Sequence, residues 1–285
     1  MLCCFILKPM NSLNIHYRAL ALLLLGLSFL SSGCRTSYTV IVQDHDTLTQ
    51  LAPFIYILSG NYNGNTTVAQ FKKAGNLGIG TFQGLDGEAI LLDGLLYQAQ
   101  GDGSVKLADD NQLMPFGVCT LFDKDLSIEM RHIASYEQFS QALTPHFEDP
   151  KLFYAIKAPG LFKTITVRSC DQQQTPYRPL AEVTQSQHEY TYTNCRGTLV
   201  GFWTPAFVPG NIGVPGFHLH FISDDRTQGG HVLDFQADLL TLMLDRTPRI
   251  NIDFSAPVDM PLLERDIENQ MHSSERKRVT PPPQP

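Results

Sequence analysis

His218 and His220 stand on either side of Leu219 in the segment Phe217-His-Leu-His-Phe-Ile222, and His231 follows eleven residues after His220. Side chains alternate across a strand, so residues two apart leave the same face with α-carbons about 6.6 Å apart, close enough for two imidazoles to meet one metal ion. The intervening Ser223-Asp-Asp-Arg-Thr-Gln-Gly-Gly230 is rich in turn formers and predicts a tight hairpin that returns His231 alongside the pair. Three neutral imidazoles with a fourth position left open describe a catalytic zinc site. A His-x-His pair alone is weak evidence, since a strand can carry polar rings on its outer face; the third histidine across a hairpin is what raises the metal reading.

The elements that must hold these residues are mostly strands. Asp86-Gly87, Asp93-Gly94 and Asp102-Gly103 are turn signals at short intervals, separating Glu88–Leu92, Leu95–Gln100 and Ser104–Leu107. Asp-Gly favours turns with positive φ, so this stretch predicts an antiparallel meander. Val68–Lys73 and Ser135–Leu143 have the character of short helices, the latter with Tyr136, Phe139 and Leu143 at helical spacing. Phe116–Phe122 predicts a buried strand. Phe153–Lys157 and Leu161–Ser169 predict two strands around Pro159-Gly160, and Glu189–Asn194 and Gly197–Trp203 two more. His231–Phe235 continues the pattern, while Ala237–Leu244 fits strand or helix. The polar, Gln- and Pro-rich run 171–188 marks a boundary.

The chain has 285 residues and a net charge of −7. Lys8 and Arg18 precede the apolar run Ala19–Leu30, which ends in Ser31-Ser-Gly-Cys34, the order of an export signal. Its twelve residues are too few to span a bilayer core. Residues 1–33 therefore read as a signal peptide, with Cys34 a candidate for lipid attachment, and the expected destination is the periplasm or the exterior. Removing them takes two bases and no acid, moving the charge to −9 and arguing against nucleic acid as a partner. The remaining cysteines, Cys119, Cys170 and Cys195, form no Cys-x-x-Cys pair and read as buried and inert.

Two long segments resemble a known family. Gly78-Ile-Gly-Thr-Phe-Gln-Gly-Leu-Asp-Gly-Glu-Ala-Ile-Leu-Leu-Asp-Gly94 is similar to the N-terminal signature of bacterial α-acetolactate decarboxylases, and Gly216-Phe-His-Leu-His-Phe-Ile-Ser-Asp-Asp-Arg-Thr-Gln-Gly-Gly-His231 resembles their metal segment. Phe153–Lys157 and Tyr177–Leu180 match the pattern between, so the resemblance runs from about Leu51 to Asp266. It implies an α+β, β-rich, two-domain fold: a mixed-sheet half at 34–170, a smaller barrel-like half at 171–270 carrying the histidines, and zinc between them, followed by a tail at 271–285. It implies conversion of (S)-2-acetolactate to (R)-acetoin and carbon dioxide, as in acetoin and 2,3-butanediol biosynthesis, and a homodimer. It places Glu88 and Arg168 on catalytic positions, Thr81 beside the substrate, and His218, His220 and His231 on Zn2+. A further glutamate near the C-terminus falls on Glu275, with Glu268 as the alternative.

The chemistry gives each residue something to do. Loss of carbon dioxide from a β-keto acid pushes an electron pair onto the ketone oxygen, which a Lewis acid stabilises. A guanidinium orients a carboxylate through its fork of donors. An acid must then protonate one face of the enediolate, which Glu88 or the C-terminal glutamate can do if a desolvated pocket raises its pKa. Without the resemblance, Glu88 reads as a solvated strand end, Arg168 as a surface residue and Glu275 as part of a charged tail. Two other classes compete: a cupin-like metalloenzyme, with Asp224 after the His-x-His, and a non-catalytic exported lipoprotein that binds a ligand.

Overall fold

The computed structural model of the protein describes residues 44–256. The leader, Cys34, Glu268 and Glu275 lie outside them. In chain order come β1 (Thr47–Gln50), α1 (Phe54–Leu58), β2 (Thr66–Thr67), α2 (Val68–Ala74), β3 (Leu77–Thr81), β4 (Glu88–Leu92) and β5 (Leu95–Ala99). Next are β6 (Val105–Leu107), β7 (Leu113–Met114), β8 (Phe116–Thr120), β9 (Leu126–Ile133), α3 (Tyr136–Leu143) and β10 (Phe153–Ser169). The series ends with α4 (Leu180–Val183), β11 (His188–Thr204), β12 (Gly216–Ser223), β13 (Gly229–Thr247) and β14 (Arg249–Ile252).

The predicted meander is present: β4 pairs antiparallel with β5 and β5 with β6. Asp93 (φ 52°) and Gly94 (φ 79°) both take positive φ, as a two-residue hairpin turn demands, and Leu92 faces Leu95 across it. These strands belong to a seven-stranded sheet ordered β14-β1-β8-β3-β4-β5-β6. Its β1–β14 pair is parallel, which makes the sheet mixed. A second sheet runs β10-β11-β12-β13-β9, with β13 also paired to β10, so its hydrogen-bonded order returns on itself.

Three apolar layers follow from strand alternation. Leu48, Ile79, Ile90 and Val118 of the first sheet meet Val200, Phe202 and Ile222 of the second in the core between them. On the far side of the first sheet, Val68 and Phe71 of α2 cover Leu91 and Leu96. On the far side of the second, Phe139 and Leu143 of α3 cover Phe162 and Phe235. Both helices start where a hydroxyl caps them: Thr67 and Gln70 form a reciprocal capping box, and Ser135 accepts from the Gln138 amide.

The second sheet departs from the sequence reading in strand length. Phe153–Lys157 and Leu161–Ser169 are one strand of 17 residues, because Pro159 keeps its pairing with Thr198 while the β13 ladder simply skips from Lys157–Met243 to Gly160–Leu240. The two predicted strands at 189–203 also merge, with Asn194 taking φ 50° inside a constant register. Ala237–Leu244 is strand, since β10 flanks it on one side and β9 on the other, and pairing outweighs its helical leanings. The polar stretch 171–188 is not empty of structure: Leu180 and Val183 enter the core between the sheets, and the Arg178 carbonyl accepts from Tyr62 Oη at 2.9 Å. Cys119 and Cys170 are buried and Cys195 half-buried, all three as free thiols. Burial drives the Cys119 thiol far up and the Cys170 thiol to about 11, so neither is a nucleophile at neutral pH.

Asp245 is a buried carboxyl on β13 that accepts from the Asp123 amide at 3.1 Å. Burial, helped by Asp125, Asp123 and Asp46, lifts it from 3.8 to about 7. The protonated form therefore supports the fold fully below about pH 4, and that support is lost as pH rises through about 7. Urea unfolding should show wild-type stability falling between pH 5 and 8 by on the order of 1 kcal/mol from this group. Asp245→Asn should remove most of that slope; an unchanged slope would mean the carboxyl is ionised throughout.

Candidate metal centre

The three histidines converge because β12 alternates. Leu219 and Phe221 enter the outer core of the second sheet, so His218, His220 and Ile222 face the first sheet. The hairpin behaves as predicted. Ser223 Oγ donates to Asp225 Oδ1 at 2.6 Å and accepts from the Thr227 and Gln228 amides, and Arg226 takes φ 61°. This turn sets His231 directly opposite His220. Ring centroids lie 5.3 Å (His218–His220), 5.0 Å (His218–His231) and 5.4 Å (His220–His231) apart, and one nitrogen from each ring lies within 4.8 Å of the others.

A tetrahedral zinc with Zn–N bonds of about 2.0–2.1 Å needs nitrogens about 3.3 Å apart, so modest rotamer closure brings this set onto an ion. Protonation state agrees. Burial, with the Arg168 charge added, drives His218 down to about 3. Burial and His218 push His220 well down, against the opposing pull of the Ala89 carbonyl. Neutral imidazoles are the form that binds metal. His220 Nδ1 lies 3.0 Å from Ala89 O. A carbonyl only accepts, so Nδ1 carries the hydrogen and Nε2 keeps its lone pair toward the cluster, the outer-partner arrangement that orients metal-ligating imidazoles.

The first sheet brings Glu88 and Thr81 to the same place, and β10 of the second sheet brings Arg168. Glu88 opens β4 and is buried, not solvated; Arg168, near the end of β10, is 5% exposed, not a surface residue. Arg168 Nη1 donates to Glu88 Oε1 at 2.8 Å, and Glu88 Oε2 lies 3.5 Å from His220 Nε2. Arg168 is also the cross-strand neighbour of His231. Thr81 faces Glu88 across β3–β4 and donates to Gly87 O at 2.7 Å. Glu88, Arg168 and Thr81 line a pocket together with His218 and His220. Its apolar wall is Phe54, Ile57, Leu85, Phe116 and Leu180. Sequence reasoning did not single these out, although Leu85 and Leu180 sit inside the family-like segments; nothing local says which leucine of a strand-rich chain faces a pocket.

Three imidazoles close enough to hold a metal ion, beside a paired carboxylate and guanidinium in a largely apolar pocket, mark a β protein with a candidate metal centre. Residues 48–267 match the family model for alpha-acetolactate decarboxylase. The alpha-acetolactate decarboxylase of Bacillus subtilis is 35% identical over 233 residues, covering 79% of this chain and 91% of that protein. Its counterpart in Methanosarcina mazei is 37% identical over 214 residues, covering 75% and 74%. A crystal structure of the B. subtilis protein superposes with a TM-score of 0.75 at 31% identity, over 81% of this chain and 100% of that one. The chain belongs to the alpha-acetolactate decarboxylase family.

Proposed function

We propose that the protein is a zinc-dependent carboxy-lyase that converts (S)-2-acetolactate to (R)-acetoin and carbon dioxide. The observation that carries this reading is the meeting of His218, His220 and His231 in one cluster, with the Glu88–Arg168 pair beside them in the pocket that His218 and His220 line. An ion held by His218, His220 and His231 would supply Lewis-acid charge to the substrate's oxygens. Arg168 gives the pocket a fixed positive charge, against which the substrate carboxylate is drawn and oriented. As the C–C bond to the carboxylate breaks, its electron pair moves onto the former ketone and carbon dioxide departs. One proton must then reach the carbon left behind, from one side only.

Glu88 is a carboxyl in reach of that carbon, since it lines the pocket beside His220. Thr81 shapes the floor beside it. A second carboxyl, Glu275 or else Glu268, completes the acid–base set in this reading. The rest of the reading comes with it: a barrel-like half at 171–270, zinc between the halves, a homodimer, and export with a lipid on Cys34.

The test is release of carbon dioxide and acetoin from racemic 2-acetolactate by protein from Arg35 onward, with zinc counted per chain. About one zinc and conversion of half the racemate are the expected result. Zinc without turnover would replace this substrate by another. Absence of both would favour the ligand-binding lipoprotein.

A further inference from the structure

The chain enters Glu88 through an unusual piece of backbone. Gly84 (φ 74°), Leu85 (φ 56°) and Gly87 (φ 76°) all take positive φ, and Asp86 between them has φ −77° and ψ 77°. Leu85 is a branched residue in a conformation that favours glycine, a strained arrangement that persists only where the surroundings hold it. The Gly87 amide donates to Leu85 O at 2.9 Å, closing an inverse γ-turn about Asp86, and is shared with Cys170 O at 3.2 Å. A side chain on Gly87 would collide with Ala99 O, so the turn admits no other residue there.

Two side chains hold this turn by its carbonyls. Thr81 Oγ1 takes Gly87 O and lines the pocket itself. Gln98 does not line the pocket. It is fully buried on β5 as the cross-strand neighbour of Ala89, and its Nε2 donates to Asp86 O at 2.7 Å and to Asp86 Oδ2 at 2.9 Å. Its Oε1 accepts from Gln112 Nε2 at 3.0 Å, which fixes the amide's orientation from the other side. Every polar atom of this amide is thus committed to the turn or to the residue that braces it.

We propose that Gln98 is a positioning residue for the reaction: by holding the strained turn Leu85–Gly87 it sets Glu88 at the distance from Arg168 and the pocket that proton delivery requires. The inference rests on the decarboxylase reading for its kinetic part and on geometry alone for its structural part. A displacement of Glu88 by about 1 Å is enough to lower turnover on the order of a hundredfold.

Gln98→Met keeps the length and removes the amide. The holoenzyme variant should retain its zinc and its KM within about threefold, while kcat falls about 10- to 100-fold. Made in a Glu88→Gln background, the same change should cost less than about twofold, because residues acting through one another are not additive. Hydrogen exchange at amides 86–89 should quicken in Gln98→Met, with the rest of the sheet unchanged; this readout needs neither substrate nor metal. An unaltered kcat, an equal loss in both backgrounds, or unaltered exchange would overturn the proposal. If wild-type protein releases no carbon dioxide, the decarboxylase reading falls and exchange alone decides whether Gln98 holds the turn. If Gln98→Met does not fold, Gln112→Leu, which removes only the brace, should show the same pattern at smaller amplitude.

Discussion

His220→Ala is expected to lower kcat by at least about a thousandfold and to abolish the stabilisation that zinc confers. His220 is anchored, tied by Nδ1 to Ala89 O and set opposite His231. Two imidazoles hold a divalent ion far less tightly than three, and the ion's charge is what the departing electron pair needs. A ligand that binds only the folded state adds RT ln(1 + [L]/Kd), about 4 kcal/mol at a thousand times Kd. Wild-type protein should therefore melt at a markedly higher temperature with zinc than with chelator, and His220→Ala should melt at one temperature in both. The variant itself should stay folded, since the loss is one ring and one hydrogen bond, on the order of 1–2 kcal/mol. A zinc-dependent shift that survives in His220→Ala would place the ion elsewhere.

Arg168→Met should cost about 3–5 kcal/mol of stability at neutral pH. Both partners of the Arg168–Glu88 pair are buried, with side chains 6% and 10% exposed. Removing the guanidinium leaves a carboxylate out of water with its main counter-charge gone. The double variant Arg168→Met with Glu88→Gln removes both charges and should regain most of the stability, while activity stays absent in both. The deficit of the single variant should also shrink on acidification. A carboxyl stripped of its cation takes a raised pKa in the folded state, so its stability is present at low pH and lost as pH rises. Urea midpoints of the four proteins across pH 5 to 8 test this, and a single variant as stable as wild type would mean that water reaches Glu88.

What could be read from the sequence was local in character. Asp93-Gly94 dictates its own φ values, and His218-Leu-His220 shares a face by alternation alone. Elements set by distant pairing were less legible. β1 acquires its parallel partner some 200 residues later, at Arg249–Ile252. Pro159-Gly160 looked like a break because a single chain does not reveal that β13 omits the ladder bonds there. The site divides the same way. The histidines could be proposed from spacing, whereas Glu88 and Arg168 read locally as solvated and were lifted only by resemblance to a family; their burial exists because two sheets close over them. Leu180 and Gln98 carried no local signal at all, one an apolar residue in a polar stretch, the other a glutamine in a strand.

The order in which the site assembles follows from how far apart its parts lie along the chain. His220 and His231 are joined by a loop of eleven residues, while Glu88 and Arg168 are separated by 80. Closing the longer loop costs about 1.8 kcal/mol more in chain entropy, by (3/2)RT ln of the ratio. The hairpin that carries His220 and His231 is thus a low-contact-order unit that can form while Glu88 and Arg168 are still apart. Partial unfolding should run the same course backwards, with Glu88 and Arg168 parting before His220 and His231 do.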